Sequence, residues 1–124
     1  MARSMAFDIS HDDSLALLRD ISLRLVRGAK PNNLPDFTVR QLAMLTTIYL
    51  EAPPHTVRGL AGALGVAKPV VTRALDAMTK HGLVDRRRDE ADRRNVIVHR
   101  TEKGTTAVAS LAGVCQNCRR DAAE

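Results

Sequence analysis

Residues Thr56 to Arg94, TVRGLAGALGVAKPVVTRALDAMTKHGLVDRRRDEADRR, decide the fold of this 124-residue chain. Two short amphipathic helices are predicted here, because apolar residues recur at the spacing of one buried helix face. The first stripe is Val57, Leu60, Ala61 and Leu64, and the second is Val71, Ala74, Leu75 and Met78. Thr56 is placed to cap the first helix, Gly65 to end it and Gly82 to end the second. The short connection between them is typical of a helix-turn-helix.

The first turn of the second helix carries chemistry that suits DNA. A helix-turn-helix inserts the N-terminal end of its second helix into the major groove. The exposed positions predicted there are Lys68, Pro69, Val70, Thr72 and Arg73. They offer charge for phosphates, donors for base edges and apolar surface for a thymine methyl group. The alternative interpretation is an ordinary three-helix core, which uses similar amphipathic helices.

The segment after Gly82 predicts a β-hairpin with a charged tip. Leu83 and Val84 lead into it, and the β-rich run 96–98 follows it. Arginines and acids nearly cancel in this tip, so its contribution to DNA binding depends on where each charge lies. An acid can hold an arginine extended toward a narrow minor groove, and Asp92 and Arg94 have that relation. The alternative is a solvated loop whose ion pairs contribute little to stability.

Taken together, these motifs resemble the multiple-antibiotic-resistance regulator (MarR) family of winged-helix transcription factors. The matching segments are FTVRQLAML (37–45), TVRGLAGALGVAKPVVTRALDAMTKHGLVDRR (56–87), DEADRRN (89–95) and TEKG (101–104). The resemblance assigns to the recognition helix Lys68, Pro69, Thr72 and Arg73. It also implies that Arg94 enters the minor groove, that Asp92 orients Arg94, and that Arg88 and Arg93 contact phosphates.

Two positions depart from the family pattern. Ala67 stands where such proteins usually have a serine that caps the recognition helix, and the loss of that cap costs about 1 kcal/mol. Arg100 stands where the family usually has leucine, on the inward face by strand alternation with Val96 and Val98. A buried unpaired guanidinium is very costly. We therefore expect that Arg100 reaches an acidic partner or solvent, or that the strand end is less buried than usual.

The predicted fold class is mainly α with a small β-hairpin, a single winged-helix domain over 1–124 with dimerisation helices at both ends. We expect an N-terminal dimerisation helix at 12–28, a winged helix-turn-helix core at 38–100 and a C-terminal dimerisation helix at 101–120. His11 to Ser14 form the predicted cap of the first helix, and Gly28 and Pro31 its end. Its apolar residues cover more of the circumference than one core face requires, so the surplus is expected to meet another subunit.

The remaining helices are predicted from their caps and apolar stripes. Thr38 is expected to start a helix that turns Leu42, Leu45, Ile48 and Tyr49 inward and closes at Pro53 and Pro54. Thr101 is expected to cap the last helix, in which one apolar face carries Val108, Leu111, Ala112 and Cys115, with Cys118 one turn further along. That helical region looks short for a dimerisation platform, so the first helix is expected to contribute much of the interface.

Composition favours duplex DNA as the partner. The formal net charge is +5, which favours a polyanion. Phe7, Phe37 and Tyr49 are the only aromatic residues, so the stacking platforms of single-strand and many RNA binders are missing. The sequence has neither a secretory start nor an apolar run long enough to span a membrane, so a cytoplasmic protein is expected.

The cysteines and histidines do not predict an enzyme. Cys115 and Cys118 form a C-x-x-C, but a structural zinc site needs four ligands and the helical spacing is too wide for an unstrained disulfide. Packing is the simpler interpretation, with a redox switch or an intersubunit metal site as the alternative. The histidines, His11, His55, His81 and His99, are scattered and expected at the surface. No cofactor and no catalytic residues are expected.

The sequence thus predicts a sequence-specific, dimeric, repressor-like regulator of transcription that binds a pseudo-palindromic operator. The family resemblance implies a small aromatic or phenolic effector, although no effector-binding residues are recognisable. Two alternatives stay open. One is a winged-helix module that docks on protein and associates with DNA only generally, and the other is a thiol- or metal-responsive regulator acting through Cys115 and Cys118.

Overall fold

A computed structural model describes residues 12–27 and 34–123 of the chain. Its elements are α1 (Asp13–Val26), α2 (Val39–Leu50), β1 (His55–Thr56), α3 (Val57–Leu64), α4 (Lys68–Lys80), β2 (Val84–Arg88), β3 (Val96–Arg100) and α5 (Glu102–Ala123). The predicted fold class, mainly α with a small β-hairpin, is confirmed. In the part of the chain that is described, no helix is both long and apolar enough to cross a membrane.

The chain divides into two compact units. The winged-helix unit is Pro35–Leu111, and the terminal unit combines Met1–Leu34 with Ala112–Glu124. Helix α5 contributes residues to both units.

Local capping chemistry places the helices of the winged-helix unit as predicted. Thr38 and Gln41 form a reciprocal capping box at the start of α2. Thr56 caps α3, its Oγ1 accepting from the backbone N–H of Gly59 at 2.9 Å. Gly65 ends α3 in the left-handed conformation with φ 68°, which glycine adopts without steric cost.

The core of this unit is built from the predicted apolar stripes. Helix α2 buries Met44, Leu45 and Ile48, α3 buries Leu60 and Ala61, and α4 buries Val71, Ala74, Leu75 and Met78. Leu42 and Tyr49 of α2 are half-buried. All of the α4 stripe is inside, so the opposite face of α4 is left for solvent or a partner.

The wing belongs to a three-stranded antiparallel sheet in the order β1-β3-β2. Strand β1 pairs Thr56 with Ile97, while β2 pairs Val84 with Arg100 and Arg88 with Val96. The hairpin could be predicted from the sequence, but β1 could not. Two residues are too short for an alternating pattern, so β1 exists only because β3 lies beside it.

Tyr49 joins three segments at the base of the wing. Its hydroxyl donates to the Leu83 carbonyl at 2.8 Å and accepts from the Thr101 backbone N–H at 3.0 Å. Thr101 caps α5 as predicted, accepting from the N–H of Gly104 at 2.9 Å. A β-carbon at Gly104 would overlap with the Tyr49 hydroxyl and the Leu83 carbonyl. This position therefore requires glycine because of a close approach, not because of its backbone angles.

The predicted buried face of α5 is partly wrong. Leu111 and Cys118 are buried, but Val108 and Cys115 are only half-buried and Ala112 is exposed. The buried positions are instead Gly104, Ala107, Leu111, Val114 and Cys118, which alternate spacings of three and four. The close approach at Gly104 sets this register, and glycine and alanine carry too little apolar signal for the sequence to reveal it.

The terminal unit contains α1 and the end of α5. Asp12 caps α1, accepting from the Leu15 backbone N–H at 2.7 Å, while His11, Gly28 and Pro31 lie outside the described residues. Arg24 of α1 pairs with Asp121 of α5 at 2.7 Å. This hydrogen bond lowers the pKa of Asp121 and raises that of Arg24. No residue of α1 is buried.

Candidate nucleic-acid interface

The first turn of α4 presents the predicted base-contacting residues to solvent. Lys68, Pro69, Thr72 and Arg73 are exposed, and Val70 is half-buried. The buried stripe on the other side of α4 fixes this orientation. The structure therefore brings together, on one surface, the residues that sequence reasoning assigned to the major groove.

Helix α4 begins without a side-chain cap, as the sequence predicted. Ala67 occupies the N-cap position with extended backbone angles and makes no side-chain hydrogen bond. Its carbonyl accepts from the N–H groups of Val70 and Val71, so the first turn is still formed. Pro69 in this turn has no N–H that needs a partner, which reduces the number of unsatisfied donors.

An ion pair ties the wing to α4. Arg86 of β2 lies 2.8 Å from Asp76 of α4, with the Arg86 side chain 27% exposed. Leu83 and Val84, at the start of the wing, are both buried. Sequence reasoning gave neither Asp76 nor Arg86 a role, because nothing in the local pattern shows that β2 passes this part of α4. The pair adds to the contact that the buried Leu83 and Val84 make at the base of the wing, but its own contribution is small because the Asp76 side chain is 61% exposed.

At the wing tip, Asp92 and Arg94 form the expected ion pair. Arg94 donates from Nε to Asp92 Oδ1 at 3.1 Å and from its backbone N–H to the same oxygen at 3.2 Å. The Arg94 side chain is nevertheless 91% exposed. The hydrogen bonds from Arg94 lower the pKa of Asp92, so this carboxyl stays ionised at neutral pH. Asp92 thus holds one edge of the guanidinium while the rest faces solvent.

The other wing arginines differ in how far their side chains are engaged. Arg88 donates from Nη1 to the Arg93 carbonyl at 2.7 Å, which braces the hairpin, and both residues are exposed. Arg87 pairs with Asp85 at 3.2 Å on the exposed surface. Arg93 therefore has the freer guanidinium of the two predicted phosphate-binding residues.

Arg100 has backbone carbonyls as its partners. It donates from Nε to Ile48 O at 2.9 Å and from Nη2 to Glu51 O at 2.8 Å, and its guanidinium lies 5.6 Å from the centroid of the Tyr49 ring. Of the alternatives expected from the sequence, the structure shows the exposed strand end and not an acidic partner. The positive charge lies at the C-terminal end of α2, where the helix dipole favours it.

The expectation that all histidines lie at the surface is wrong for His55. It is 7% exposed, because β1 pairs it with the buried Val98, and its Nε2 lies 3.1 Å from Glu51 O. His99 is half-buried and His81 is exposed.

Cys115 and Cys118 are free thiols. Across 12–27 and 34–123, no three metal-binding side chains come together.

Comparisons with known proteins agree with this geometry. The sequence model of the MarR family matches residues 37–96, from the loop before α2 to the first residue of β3. No curated protein sequence matches the chain.

Three solved structures illustrate the likeness. A mutant of MepR from S. aureus bound to an oligodeoxyribonucleotide is 22% identical, with a TM-score of 0.69 over 91% of this chain and 75% of that chain. The transcriptional regulator Tm0710 from Thermotoga maritima is 25% identical, with a TM-score of 0.69 over 91% of this chain and 74% of that chain. The crystal structure of MarR is also 25% identical, with a TM-score of 0.66 over 86% and 74%. Residues 37–96 thus match the MarR family, and the fold of the chain is that of the winged-helix regulators of transcription in these structures.

Proposed function

We propose that the protein is a sequence-specific transcriptional repressor that binds a pseudo-palindromic operator as a homodimer, in the cytoplasm with the DNA. The observation that carries this proposal is that two candidate DNA-binding groups lie in the same winged-helix unit. The exposed first turn of α4 and the braced Arg94 of the wing are tied together by the Asp76–Arg86 pair. Recognition helix and wing then contact adjacent grooves.

Each residue of this surface has a distinct task in the proposal. Arg73 and Thr72 donate to base edges in the major groove, and Pro69 and Val70 contact thymine methyl groups. Lys68, Arg88 and Arg93 bind phosphates, which position the protein without selecting a sequence. Arg94 enters the minor groove, where its charge favours the narrow grooves of A·T-rich DNA.

The homodimer is supported by the apolar surface of α1. Leu15, Leu18 and Val26 lie on one face of this helix and are 41%, 60% and 72% exposed. A helix whose apolar face stays in water gains little from folding, so a second copy of the chain is the partner that we propose for this face. Sedimentation velocity is expected to show a dimer that Leu18→Glu dissociates. A wild-type monomer at high micromolar concentration, with no pairing on DNA, would contradict the dimer.

The proposed effector is a small aromatic or phenolic acid. A cavity of about 310 Å³ lies within the winged-helix unit, between the start of α2 and the end of α4. Phe37 and Met78 give it apolar walls, and Gln41 and His81 add polar groups, which is the usual character of a small-ligand site. We expect a phenolic acid to weaken DNA binding and Phe37→Ala to abolish that response. A response that survives Phe37→Ala would place the effector elsewhere.

Selection of bound duplexes from a random pool tests the central proposal. A preferred sequence with two half-sites one helical turn apart is expected. Arg73→Ala and Arg94→Ala are each expected to cost about 1 to 3 kcal/mol of binding free energy on that duplex, and less on a scrambled one. Lys80→Gln, at the opposite end of α4, is the matched control for loss of one charge. Equal losses on every sequence would instead indicate a module with only general DNA association.

A further inference from the structure

Arg58 lies beside the wing, although sequence reasoning gave it no function. Strand β1 pairs Thr56 with Ile97 in antiparallel register. Thr56 is also the N-cap of α3, so Arg58, two residues on, lies in the first turn of α3, close to the start of β3 and within electrostatic reach of Asp92 in the wing loop. Only the pairing of β1 with β3 brings these segments together, and β1 was the element that the sequence did not predict.

The side chain of Arg58 is exposed and has no ion-pair partner among residues 12–27 and 34–123. Its positive charge acts on Asp92, where it adds to the lowering of the carboxyl pKa that the hydrogen bonds of Arg94 chiefly cause. That carboxylate already receives the hydrogen bonds of Arg94. The guanidinium of Arg58 is thus close to the Asp92–Arg94 pair but forms no ion pair with Asp92, so it can still bind a phosphate.

We propose that Arg58 contacts a backbone phosphate beside the minor groove that Arg94 enters. The inference rests on the proposed DNA-binding function, because it takes the position of Arg94 in the groove as given. The minor groove is bordered by phosphates on both strands, so a cation next to the wing tip faces one of those borders. The phosphate surface then extends from α4 through the wing to the start of α3.

The charge of Arg58 also offsets the repulsion between Asp92 and the DNA phosphates. Asp92 brings negative charge to a surface that approaches phosphates, and Arg94 alone only neutralises it. Arg58 adds a further positive charge at that edge, beside those of Arg88 and Arg93. A phosphate contact of this kind adds affinity on every sequence, unlike a contact to base edges.

The test is the salt dependence of binding by Arg58→Ala, on both the selected duplex and a scrambled duplex. Removing one phosphate contact is expected to make the negative slope of log K against log salt shallower by about 0.9. Relative to equal affinities at about 1 M salt, this corresponds to about an 8-fold loss of affinity at about 0.1 M salt. The loss is expected to be the same on both duplexes. Arg58→Lys is expected to keep the slope, and Lys80→Gln is the control for an equal change in charge.

A second comparison separates a phosphate contact from an indirect effect through Asp92. If Arg58 acts on DNA itself, Arg58→Ala lowers the slope equally in the wild type and in Asp92→Asn. An effect that vanishes in Asp92→Asn, or an unchanged slope, overturns the inference. These outcomes are distinct from a failure of the proposed function, which would appear as wild-type protein that selects no preferred duplex. The slope on scrambled DNA still decides the role of Arg58 in that case.

Discussion

Gly104→Ala is expected to destabilise the protein strongly, because α5 has no room for a β-carbon at this position. The added carbon would overlap with the Tyr49 hydroxyl and with the Leu83 carbonyl oxygen. The carbonyl belongs to the backbone and cannot rotate away. Tyr49 must therefore give up its hydrogen bonds, or α5 must move away from the base of the wing.

The magnitude follows from the contacts of Tyr49. Its hydroxyl has two well-formed partners, Leu83 O at 2.8 Å and Thr101 N at 3.0 Å, and each such bond is worth about 0.5 to 1.5 kcal/mol. Overpacking of a close-packed site costs about 1 to 3 kcal/mol more. Alanine returns up to about 1 kcal/mol through its better helix propensity. We therefore expect a net loss of about 1 to 5 kcal/mol in the free energy of unfolding.

Urea denaturation followed by far-UV circular dichroism measures this loss. Protein concentration must be held fixed, because the stability of a dimer depends on it. Gly62→Ala is the matched control, since a β-carbon at this exposed position of α3 meets nothing within 4 Å. We expect that variant to gain about 0.5 to 1 kcal/mol. If both substitutions had similar effects, the account of Gly104 as a position of forced close approach would be refuted.

Three further predictions concern the interface. Ala67→Ser supplies the missing cap of α4 and is expected to raise the free energy of unfolding by about 1 kcal/mol in the same urea assay, and no gain would show that the first turn needs no cap. Arg100→Leu removes the hydrogen bonds to the end of α2 and is expected to lower it by about 1 to 2 kcal/mol, with a smaller loss for Arg100→Lys. The pKa of Asp92 is lowered by Arg94, so the benefit of the pair is present above the ordinary pKa of an aspartate and is lost only as the pH falls through the lowered value. The effect of Asp92→Asn on DNA affinity is therefore expected to be constant from about pH 5 to pH 8, and a titration within that range would contradict the assignment.

Features that depend on neighbours in sequence could be predicted. Thr56 and Gly65 begin and end α3 through contacts within a few residues, and the buried stripe of α4 follows from helix periodicity. The Asp92–Arg94 pair joins residues two apart, so its geometry could be expected from the sequence. The recognition surface could be predicted for the same reason, since all of its residues lie within the first two turns of α4.

Features that depend on distant segments could not be predicted. Arg100 donates to Ile48 and Glu51, which lie 52 and 49 residues earlier in the chain. No local pattern shows that the end of β3 meets the end of α2, so the carbonyl partners could not be predicted from the sequence. The same holds for the burial of His55 and for Arg58, because both depend on the pairing of β1 with β3.

The rigid attachment of the wing has a consequence for the choice of operator. Buried Leu83 and Val84, together with the Asp76–Arg86 pair, attach the base of the wing to α4 and so set a span between the helix and the hairpin tip of one subunit. A duplex whose grooves do not fit this span must be bent, twisted or compressed until they do. The energy of that deformation depends on base steps that no side chain touches. We therefore expect the preferred sites to be defined partly by how easily their untouched base pairs deform.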